Sequence, residues 1–163
     1  MWIKKFTDVN MMKKDIEIRT MKIEDYTEVM VLWKSIKGFR IRAVDDDFEH
    51  IKRFLDRNMG LSVVAVKNNQ IVGTILSGHD GRQATFYHVC VDSRCRGENI
   101  AGKMVKEAIE RVNAEGISKI TLIAFKQNLA GNIFWKSQNW KQNKDINSYE
   151  LVLNEENISS IVA

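Results

Sequence analysis

One stretch of this sequence constrains the fold more than any other, because it joins a buried strand to an amphipathic helix through a short turn. Residues 85–91 are rich in β-branched and aromatic side chains, which predicts a buried strand. From Ile100 onward the apolar residues recur at helical spacing, which predicts a helix with one face in the core. The chain therefore combines strand and helix around the turn at residues 92–99.

This turn has the composition of an anion-binding site. It contains Arg96, Gly97 and Asn99, and the helix that follows begins with main-chain N–H groups that have no acceptor within the helix. The helix dipole adds partial positive charge at the same point, which favours a phosphate group. The alternative is a plain strand-to-helix connection in which Asn99 caps the helix and nothing binds.

Length and charge limit the class of protein. With 163 residues, 44% of them hydrophobic, the chain is long enough for one buried core and short for two. The net charge of +4 comes without a block of Lys and Arg interleaved with aromatic residues, so we expect no nucleic-acid partner; that rival class would rest on charge alone. No apolar run is long enough for a signal peptide or a span, so we expect no membrane association.

The two cysteines indicate a reducing compartment. Cys90 and Cys95 form neither a CxxC pair nor a metal-ligand cluster. We therefore expect reduced thiols, a cytoplasmic protein and no metal site. Both side chains are expected to fill the core or the turn rather than to act in catalysis.

The first half of the chain predicts a mixture of helices and antiparallel strands. Alternation at 16–19 indicates a strand, and helical spacing follows from Ile23 to Ile36. Three consecutive aspartates at 45–47 precede a second short helix. The Asn68-Asn69 pair, which tolerates positive φ, predicts a hairpin between two apolar strands.

The second half predicts a buried strand over 119–125, a short helix opened by Asn128, and a closing hairpin that ends at 149–153. Together these elements predict a single mixed α/β domain with an antiparallel first half. The predicted divisions are a loose N-terminal arm at 1–14, one domain at 15–153 and a frayed C-terminal tail at 154–163.

Three motifs follow one another in a fixed order: Arg96-Gly97-Glu98-Asn99-Ile100-Ala101, then Asn128 with Phe134-Trp135, then Asn139-Trp140. In this order they resemble the GNAT superfamily of acyl-CoA-dependent N-acetyltransferases, over about Ile16 to Leu153. Members carry Arg or Gln, two residues, Gly, one residue, then Gly or Ala after their fourth strand; Asn99 replaces the usual second Gly. The His79-Asp80-Gly81 hairpin is also similar to that of small bacterial members grouped with the ribosomal-protein N-terminal acetyltransferases.

The resemblance implies an acyl-CoA N-acyltransferase domain at 15–153, of α/β (mixed α+β) class. Its sheet would be central, mixed and mostly antiparallel, with about seven strands flanked by about four helices. The implied reaction is direct attack of a primary amine on the thioester of acetyl-CoA, the co-substrate, without a metal. The implied coenzyme contacts are the backbone of Val89 and Val91, then Arg96, Gly97, Glu98, Asn99, Ile100, Ala101 and Gly102, and finally Asn128 and Trp135.

Two groups are candidates for the chemistry. The backbone N–H of Val89 can face the carbonyl oxygen as negative charge develops on it. His88 lies on the strand beside the expected acetyl group and can serve as general base or water relay; the alternative is a strand histidine bonded to the backbone. In a regular strand Tyr87 would point away from His88, so we do not expect it to be the acid.

Trp135 departs from the family in a way that affects the mechanism. Members usually have a Tyr there, which protonates the departing thiolate, and an indole N–H is not a usable acid. The leading function is therefore an acetyl-CoA-dependent N-acetyltransferase. The alternative is a CoA-binding or sensing module whose catalysis is weakened or lost.

The acceptor stays open between an amine-bearing small molecule, a protein N-terminus and a lysine. The acids between 45 and 49 could attract a cationic amine, or could be ordinary first-turn helix residues. Phe39, Arg40 and Arg42 could instead favour an acceptor that carries a carboxylate. The resemblance also allows a homodimer, since homodimers are common among relatives.

Overall fold

The computed structural model describes residues 15–163, so the loose arm predicted over 1–14 lies outside the described residues. Within that range the chain forms seven strands and four α-helices, which confirms the predicted mixed α/β class. Short 3₁₀ turns at Ile23–Asp25 and Ser93–Cys95 precede α1 and follow β5. The elements are, in order, β1 (Glu17–Thr20), α1 (Tyr26–Ser35), β2 (Arg40–Arg42), α2 (Phe48–Arg57), β3 (Val63–Lys67), β4 (Gln70–His79), β5 (Ala84–Val91), α3 (Ile100–Ala114), β6 (Ile120–Leu122), α4 (Leu129–Ser137) and β7 (Ser159–Ile161).

Five of the strands form the main sheet, in the order β1-β3-β4-β5-β6. All neighbours in this sheet are antiparallel except β5 and β6, which are parallel. The other two strands, β2 and β7, form a separate antiparallel pair. The sheet is therefore mixed and mostly antiparallel as predicted, with its seven strands divided between two sheets.

The end of the chain differs from the sequence prediction. Residues 149–153 are not paired as a strand, so the expected closing hairpin is absent from the part of the chain that the structure describes. Instead Ser159–Ile161, within the expected frayed tail, pairs with Arg40–Arg42. A pattern of alternating residues predicts an extended conformation, but it does not specify which strand edge will accept it.

The apolar residues form two clusters, one on each face of the main sheet. Val63 and Met104 belong to the cluster under α3, whereas Val64 and Trp33 belong to the cluster under α1 and α2. Successive residues of β3 thus enter opposite clusters, as strand geometry requires. A Cβ added at Gly73 would lie 2.7 Å from Cε of Met104, so this glycine lets α3 pack directly on β4.

Candidate active site

The turn between β5 and α3 presents a run of unpaired main-chain N–H groups. Gly97 (φ 81°) and Asn99 (φ 55°) are both left-handed, and α3 begins immediately afterwards at Ile100. Among the described residues, the first main-chain bond donated after this turn runs from Lys103 N to Asn99 O, at 3.1 Å. Alternating left- and right-handed residues form concave anion-binding nests. The predicted phosphate site, from Gly97 to Gly102, therefore has the backbone geometry that an anion needs.

Asn99 occupies the N-cap position, as in the alternative of a plain connection, but its side chain makes no capping hydrogen bond. A Cβ added at Gly102 would lie within 3.1 Å of Cγ of Asn99, so the asparagine side chain lies over the first turn of α3. The amide group is therefore placed beside the free N–H groups without consuming any of them.

The charges around this turn are arranged so that an anion is not repelled. Glu98 is the acid between Gly97 and Asn99, and Nζ of Lys67 lies 2.7 Å from both of its carboxylate oxygens. The hydrogen bond to Glu98 raises the pKa of Lys67, so the ammonium stays charged at neutral pH. Arg96 is exposed beside this pair. The pair neutralises Glu98, and the positive end of α3 and Arg96 remain for the anion.

Asp92 fixes the start of the turn. Its N–H donates to Val72 O at 2.7 Å, and its carboxylate accepts from the N–H of Arg94 at 2.9 Å and from the Arg94 guanidinium at 2.6 Å. The hydrogen bonds from the Arg94 side chain and backbone lower the pKa of Asp92. The hydrogen bond to Val72 thus anchors the first residue of the turn to β4 without the help of a ligand.

The edge of β5 next to this turn is open. β5 pairs with β6 only where Ala84–Phe86 faces Ile120–Leu122. Beyond Phe86 no strand of the described chain covers this side of β5, so the two strands diverge towards the turn. Val89 and Val91, predicted to bind an extended ligand through their backbone, lie on this open stretch.

A β-bulge in β5 changes which side chains face the same way. Thr74 is paired with Cys90 and Leu76 with Tyr87, so a single residue of β4 faces both His88 and Val89. His88 adopts φ 48°, a left-handed conformation that is unfavourable for a residue with a Cβ. The bulge is consequently centred on the candidate catalytic residues.

Because of the bulge, the prediction that Tyr87 and His88 point to opposite faces is wrong. The Tyr87 ring packs edge-on against Phe54, at 5.9 Å between centroids, and the His88 ring lies 4.4 Å from Trp33. Phe54 and Trp33 both belong to the cluster under α1 and α2. Tyr87 and His88 therefore share one face of the sheet, and the extra residue of the bulge breaks the period of two.

His88 is paired with a buried carboxylate. Its Nε2 lies 2.6 Å from Oδ1 of Asp46, which is 5% exposed, and Oδ2 of Asp46 accepts from the Arg42 N–H at 2.7 Å. The His88 ring lies between Trp33 and Phe39, with centroids at 4.4 and 4.9 Å. With the carboxylate accepting a hydrogen bond from Nε2–H, the neutral ring has its lone pair at Nδ1. This arrangement is compatible with the predicted role of His88 as a base, which stays a prediction.

A buried hydroxyl fixes the backbone of His88. Thr74 Oγ1 accepts from Trp33 Nε1 at 2.9 Å and donates to His88 O at 2.8 Å. The Cys90 thiol lies 3.3 Å from the same hydroxyl, and burial raises its pKa to about 12. Cys90 is thus a protonated core residue, in line with its expected role as filler.

The three aspartates before α2 have three different environments. Asp47 is the N-cap of α2 and accepts from the His50 N–H at 2.8 Å, as an ordinary first-turn acid does. Asp45 is exposed and bonds to the side chain of Asn157 at 2.8 Å. Asp46 alone is buried against His88, a role that the sequence analysis missed. No periodic signal could have identified it, since Asp46 and His88 are 42 positions apart.

Asn128 and Trp135 make structural contacts. The side-chain oxygen of Asn128 accepts from the Gly131 N–H at 3.0 Å and caps α4. The Trp135 ring packs on Phe134 and Trp140, at 5.0 and 4.9 Å, beside the cluster under α3. Binding of a coenzyme by either residue stays a prediction.

A groove of about 430 Å³ borders the turn. It runs from the start of α3 along that helix towards the end of α4, and it is lined by Asn99, Gly102, Val105, Lys106, Ile109, Glu110, Gln138 and Trp140. Two members of the predicted anion site, Asn99 and Gly102, thus lie at one end of a cavity that can hold the rest of a larger anionic ligand.

Between residues 15 and 163, no helix is long and apolar enough to cross a membrane. The same residues contain no group of three or more His, Cys, Asp and Glu side chains that could hold a metal ion.

The model of the acetyltransferase (GNAT) family matches residues 24–140, well over half of the chain. Among solved structures, the PaiA N-acetyltransferase of Thermoplasma acidophilum, in complex with coenzyme A, is 17% identical with a TM-score of 0.66, over 76% of this chain and 88% of its own. An aminoglycoside acetyltransferase from an uncultured soil metagenomic sample is 20% identical with a TM-score of 0.65, over 85% and 97% of the two chains.

The ribosomal-protein-alanine N-acetyltransferase of Brucella melitensis biovar Abortus is 18% identical with a TM-score of 0.63, over 85% of this chain and 99% of its own. At these identities the similarity to solved structures concerns the fold. The family match covers the β5–α3 turn, the bulge at His88 and the helix that contains Trp135.

Proposed function

This chain belongs to the acetyltransferase (GNAT) family as an acetyl-CoA-dependent enzyme, and from that premise we propose that it acetylates a primary amine by direct attack on the thioester. The observation that carries the proposal is the run of free N–H groups from Gly97 to Gly102 beside the open edge of β5. A diphosphate needs several such donors, and an extended thiol-ended arm needs such an edge.

The coenzyme would be held in three parts. The diphosphate would accept from the N–H groups of the turn, with Arg96 nearby and Glu98 neutralised by Lys67. The amides of the pantetheine arm would pair with the backbone of Val89 and Val91, as an added strand does. The groove beside Asn99 has room for the nucleotide end.

The reaction balances without a further reactant. The amine nitrogen attacks the thioester carbonyl carbon, the C–N bond forms, and negative charge develops on the carbonyl oxygen. The N–H of Val89, at the bulge, would donate to that oxygen; such a donor typically contributes about 10²–10³ in rate. The intermediate then collapses, the C–S bond breaks, the amine loses one proton, and coenzyme A leaves as the thiol once its sulfur has gained a proton.

His88 would act as the base or relay that takes the amine proton. Support comes from its pairing with the buried carboxylate of Asp46, which leaves the Nδ1 lone pair of the neutral ring to accept a proton. Asp46 would be a positioning residue, because it touches His88 and no reacting atom. The acceptor would be an amine-bearing small molecule, a protein N-terminus or a lysine.

The decisive experiment compares two glycines at opposite ends of α3. Gly97 (φ 81°) and Gly116 (φ 77°) are both left-handed, and an added Cβ meets no atom within 4 Å at either position. Each Gly→Ala change should therefore cost about 1–2 kcal/mol of stability. Only Gly97→Ala adds a methyl group where the diphosphate must approach the backbone, so we expect its Kd for acetyl-CoA to rise at least about tenfold.

Isothermal titration calorimetry with acetyl-CoA measures this difference, and Gly116→Ala is the matched control, with an unchanged Kd. Equal affinities in the two variants, or no heat with the folded wild-type protein, would contradict the coenzyme site. Thiol release with a panel of amines then tests the reaction.

A second candidate function is a CoA-binding or sensing module, and the observation that favours it is Trp135 at the position of the family's Tyr. Under that function acetyl-CoA binds with the affinity of the wild-type site, but no amine in the panel releases thiol. The two measurements together therefore separate the enzyme from the module.

A further inference from the structure

Arg40 in β2 is a half-buried cation without an anionic partner. Its guanidinium carbon lies 4.3 Å from the centre of the Phe125 ring, and one terminal nitrogen donates to Ser159 Oγ at 3.3 Å. Its Nε is buried and has no acceptor among the described residues, and no ion pair within that part of the chain includes Arg40. A guanidinium has five N–H donors and is rarely buried without a carboxylate, so this one retains the capacity to bind an anion.

The acids closest to Arg40 along the chain all face other groups. The three aspartates at 45–47 each have a different partner, as described above. Arg42, two residues further along β2, lies 3.7 Å from both Asp45 and Glu150. Of the two arginines in this strand, Arg42 therefore has acids beside it, and only Arg40 is left to recognise a charged ligand.

Arg40 lies where the acceptor amine is expected to approach. The residue before it, Phe39, packs on the His88 ring, with the two centroids 4.9 Å apart. On the other side, Phe125 follows the end of β6, close to the point where β6 and β5 diverge. The contact between Arg40 and Phe125 thus joins the strand that supports the His88 ring to the end of β6, beside the open edge of β5. The proposed diphosphate site lies at the other end of this edge, so the coenzyme would not supply the anion.

We propose that the acceptor is a small primary amine that also carries a carboxylate or a phosphate, and that Arg40 binds this anionic group while the amine faces His88. The inference rests on the proposed acetyltransferase function and specifies its substrate. A guanidinium held over an aromatic ring can bind either oxyanion through two parallel N–H···O bonds. Because Arg40 adjoins the residue that contacts His88, the anion and the amine would be only a few bonds apart, as they are in a small molecule. An anion fixed in this way would orient the amine for attack.

Matched amines test the requirement for charge by thiol release. Glycine, β-alanine and 4-aminobutyrate are each compared with the corresponding carboxamide, and O-phosphoethanolamine with ethanolamine, at equal concentrations of the unprotonated amine. In at least one pair we expect kcat/KM of the anionic member to exceed that of the neutral member at least about tenfold, as a charge-assisted pair of hydrogen bonds allows. The carboxylate and phosphate pairs distinguish the two sources of the anion.

Three variants assign this preference to Arg40. Arg40→Met keeps an apolar stem on Phe125 but removes the charge, so it should abolish the preference. Arg40→Lys keeps the charge but cannot bind two oxygens in parallel, so it should retain only part of the preference, and it decides the point if Arg40→Met does not fold. Arg42→Met, which changes the arginine that has acids beside it, is the matched control and should keep the preference. Circular dichroism shows which variants are folded.

Calorimetry in the presence of coenzyme A separates this inference from the proposed function, because it requires no turnover. At least one of the anionic amines should bind the wild-type protein, and should bind folded Arg40→Met at least about tenfold more weakly. If such binding is found but no amine releases thiol, the anion site is supported and the acetyl transfer is contradicted. The inference would be overturned if no anionic amine binds, if turnover is confined to neutral amines or peptide N-termini, or if the preference survives in folded Arg40→Met.

Discussion

His88 combines an unfavourable backbone with a well-supported side chain. The left-handed conformation at φ 48° costs about 1–2 kcal/mol for a residue with a Cβ. The Thr74 hydroxyl on its carbonyl and the Asp46 carboxylate on its ring hold it there, and the two flanking aromatic rings limit its movement. Strain that is maintained by several specific contacts is characteristic of functional positions.

Two substitutions distinguish the proposed base, His88, from the residue proposed to position it, Asp46. His88→Asn should lower kcat by about 10²–10⁴-fold while the protein stays folded, because Asn tolerates the left-handed backbone and cannot accept the amine proton. Asp46→Asn should lower kcat with KM for acetyl-CoA unchanged, because a neutral amide holds the His88 ring less firmly than a carboxylate does. Asp45→Asn, which alters an exposed acid in the same loop, is the control. Equal kcat values for the wild type and Asp46→Asn would exclude a positioning role.

A second prediction concerns the protonation of the coenzyme A thiolate as it leaves. If protonation of the thiolate limits turnover, Trp135→Tyr should raise kcat, by up to about 10²-fold, because a phenol is a usable acid and an indole is not. The smaller ring loses part of its packing on Trp140, so a stability loss of about 1 kcal/mol should accompany it. Steady-state kinetics at saturating acetyl-CoA decide the point, and Phe at the same position, which has no acidic group, is the control. A kcat equal in all three proteins would mean that another step is limiting.

At the scale of elements, one ion pair joins β1 to α1. The Arg19 guanidinium donates two hydrogen bonds to Asp25, at 2.8 and 2.9 Å, and the Lys22 N–H donates a third at 2.8 Å. Burial by itself would raise the pKa of Asp25, but these bonds more than offset it and the pKa lies below its ordinary value. The first helix is thus fixed to the edge strand by a carboxylate that must stay ionised.

This pair makes stability depend on pH in a defined direction. A lowered pKa in the folded state contributes stability above the unfolded pKa of about 3.9, and the contribution is lost as pH falls through the folded value. Asp25→Asn should therefore cost about 1–2 kcal/mol at pH 7 and weaken the acid sensitivity below pH 4. Urea denaturation at both pH values measures this. Glu24→Gln, an exposed neighbour, should change stability by less than about 0.5 kcal/mol, and a similar loss in both variants would contradict the assignment.

Most elements could be predicted from the sequence because local rules determine them. The Asn68-Asn69 turn takes φ 54° and 60°, as its residues allow, and the helix predicted from Ile100 begins at that residue. The bulge at His88 could not be predicted, since no Gly marks it and it depends on the register of β4. The strand is therefore predicted correctly, but the face on which the Tyr87 side chain lies relative to His88 is not.

At the scale of the whole molecule, the contacts that define the site join distant parts of the chain. Asp46 meets His88 across 42 positions, and Arg40 meets Ser159 across 119. Sequence patterns describe neighbours along the chain, so neither the buried carboxylate nor the pairing of β7 with β2 could be deduced from them. The turn between β5 and α3 is local, so its position between a strand and a helix could be predicted, whereas phosphate binding by this turn stays a prediction.

Burial of the sulfur atoms has a practical consequence for assays. The chain has two cysteines; Cys95 is buried, and Cys90 keeps its proton far above neutral pH. A disulfide reagent that reports free sulfhydryls should therefore leave the native enzyme unmodified while it captures every coenzyme molecule released by turnover. The absorbance of the reagent can then be followed continuously without subtracting a contribution from the enzyme's own cysteines. A rise in background absorbance would report unfolding.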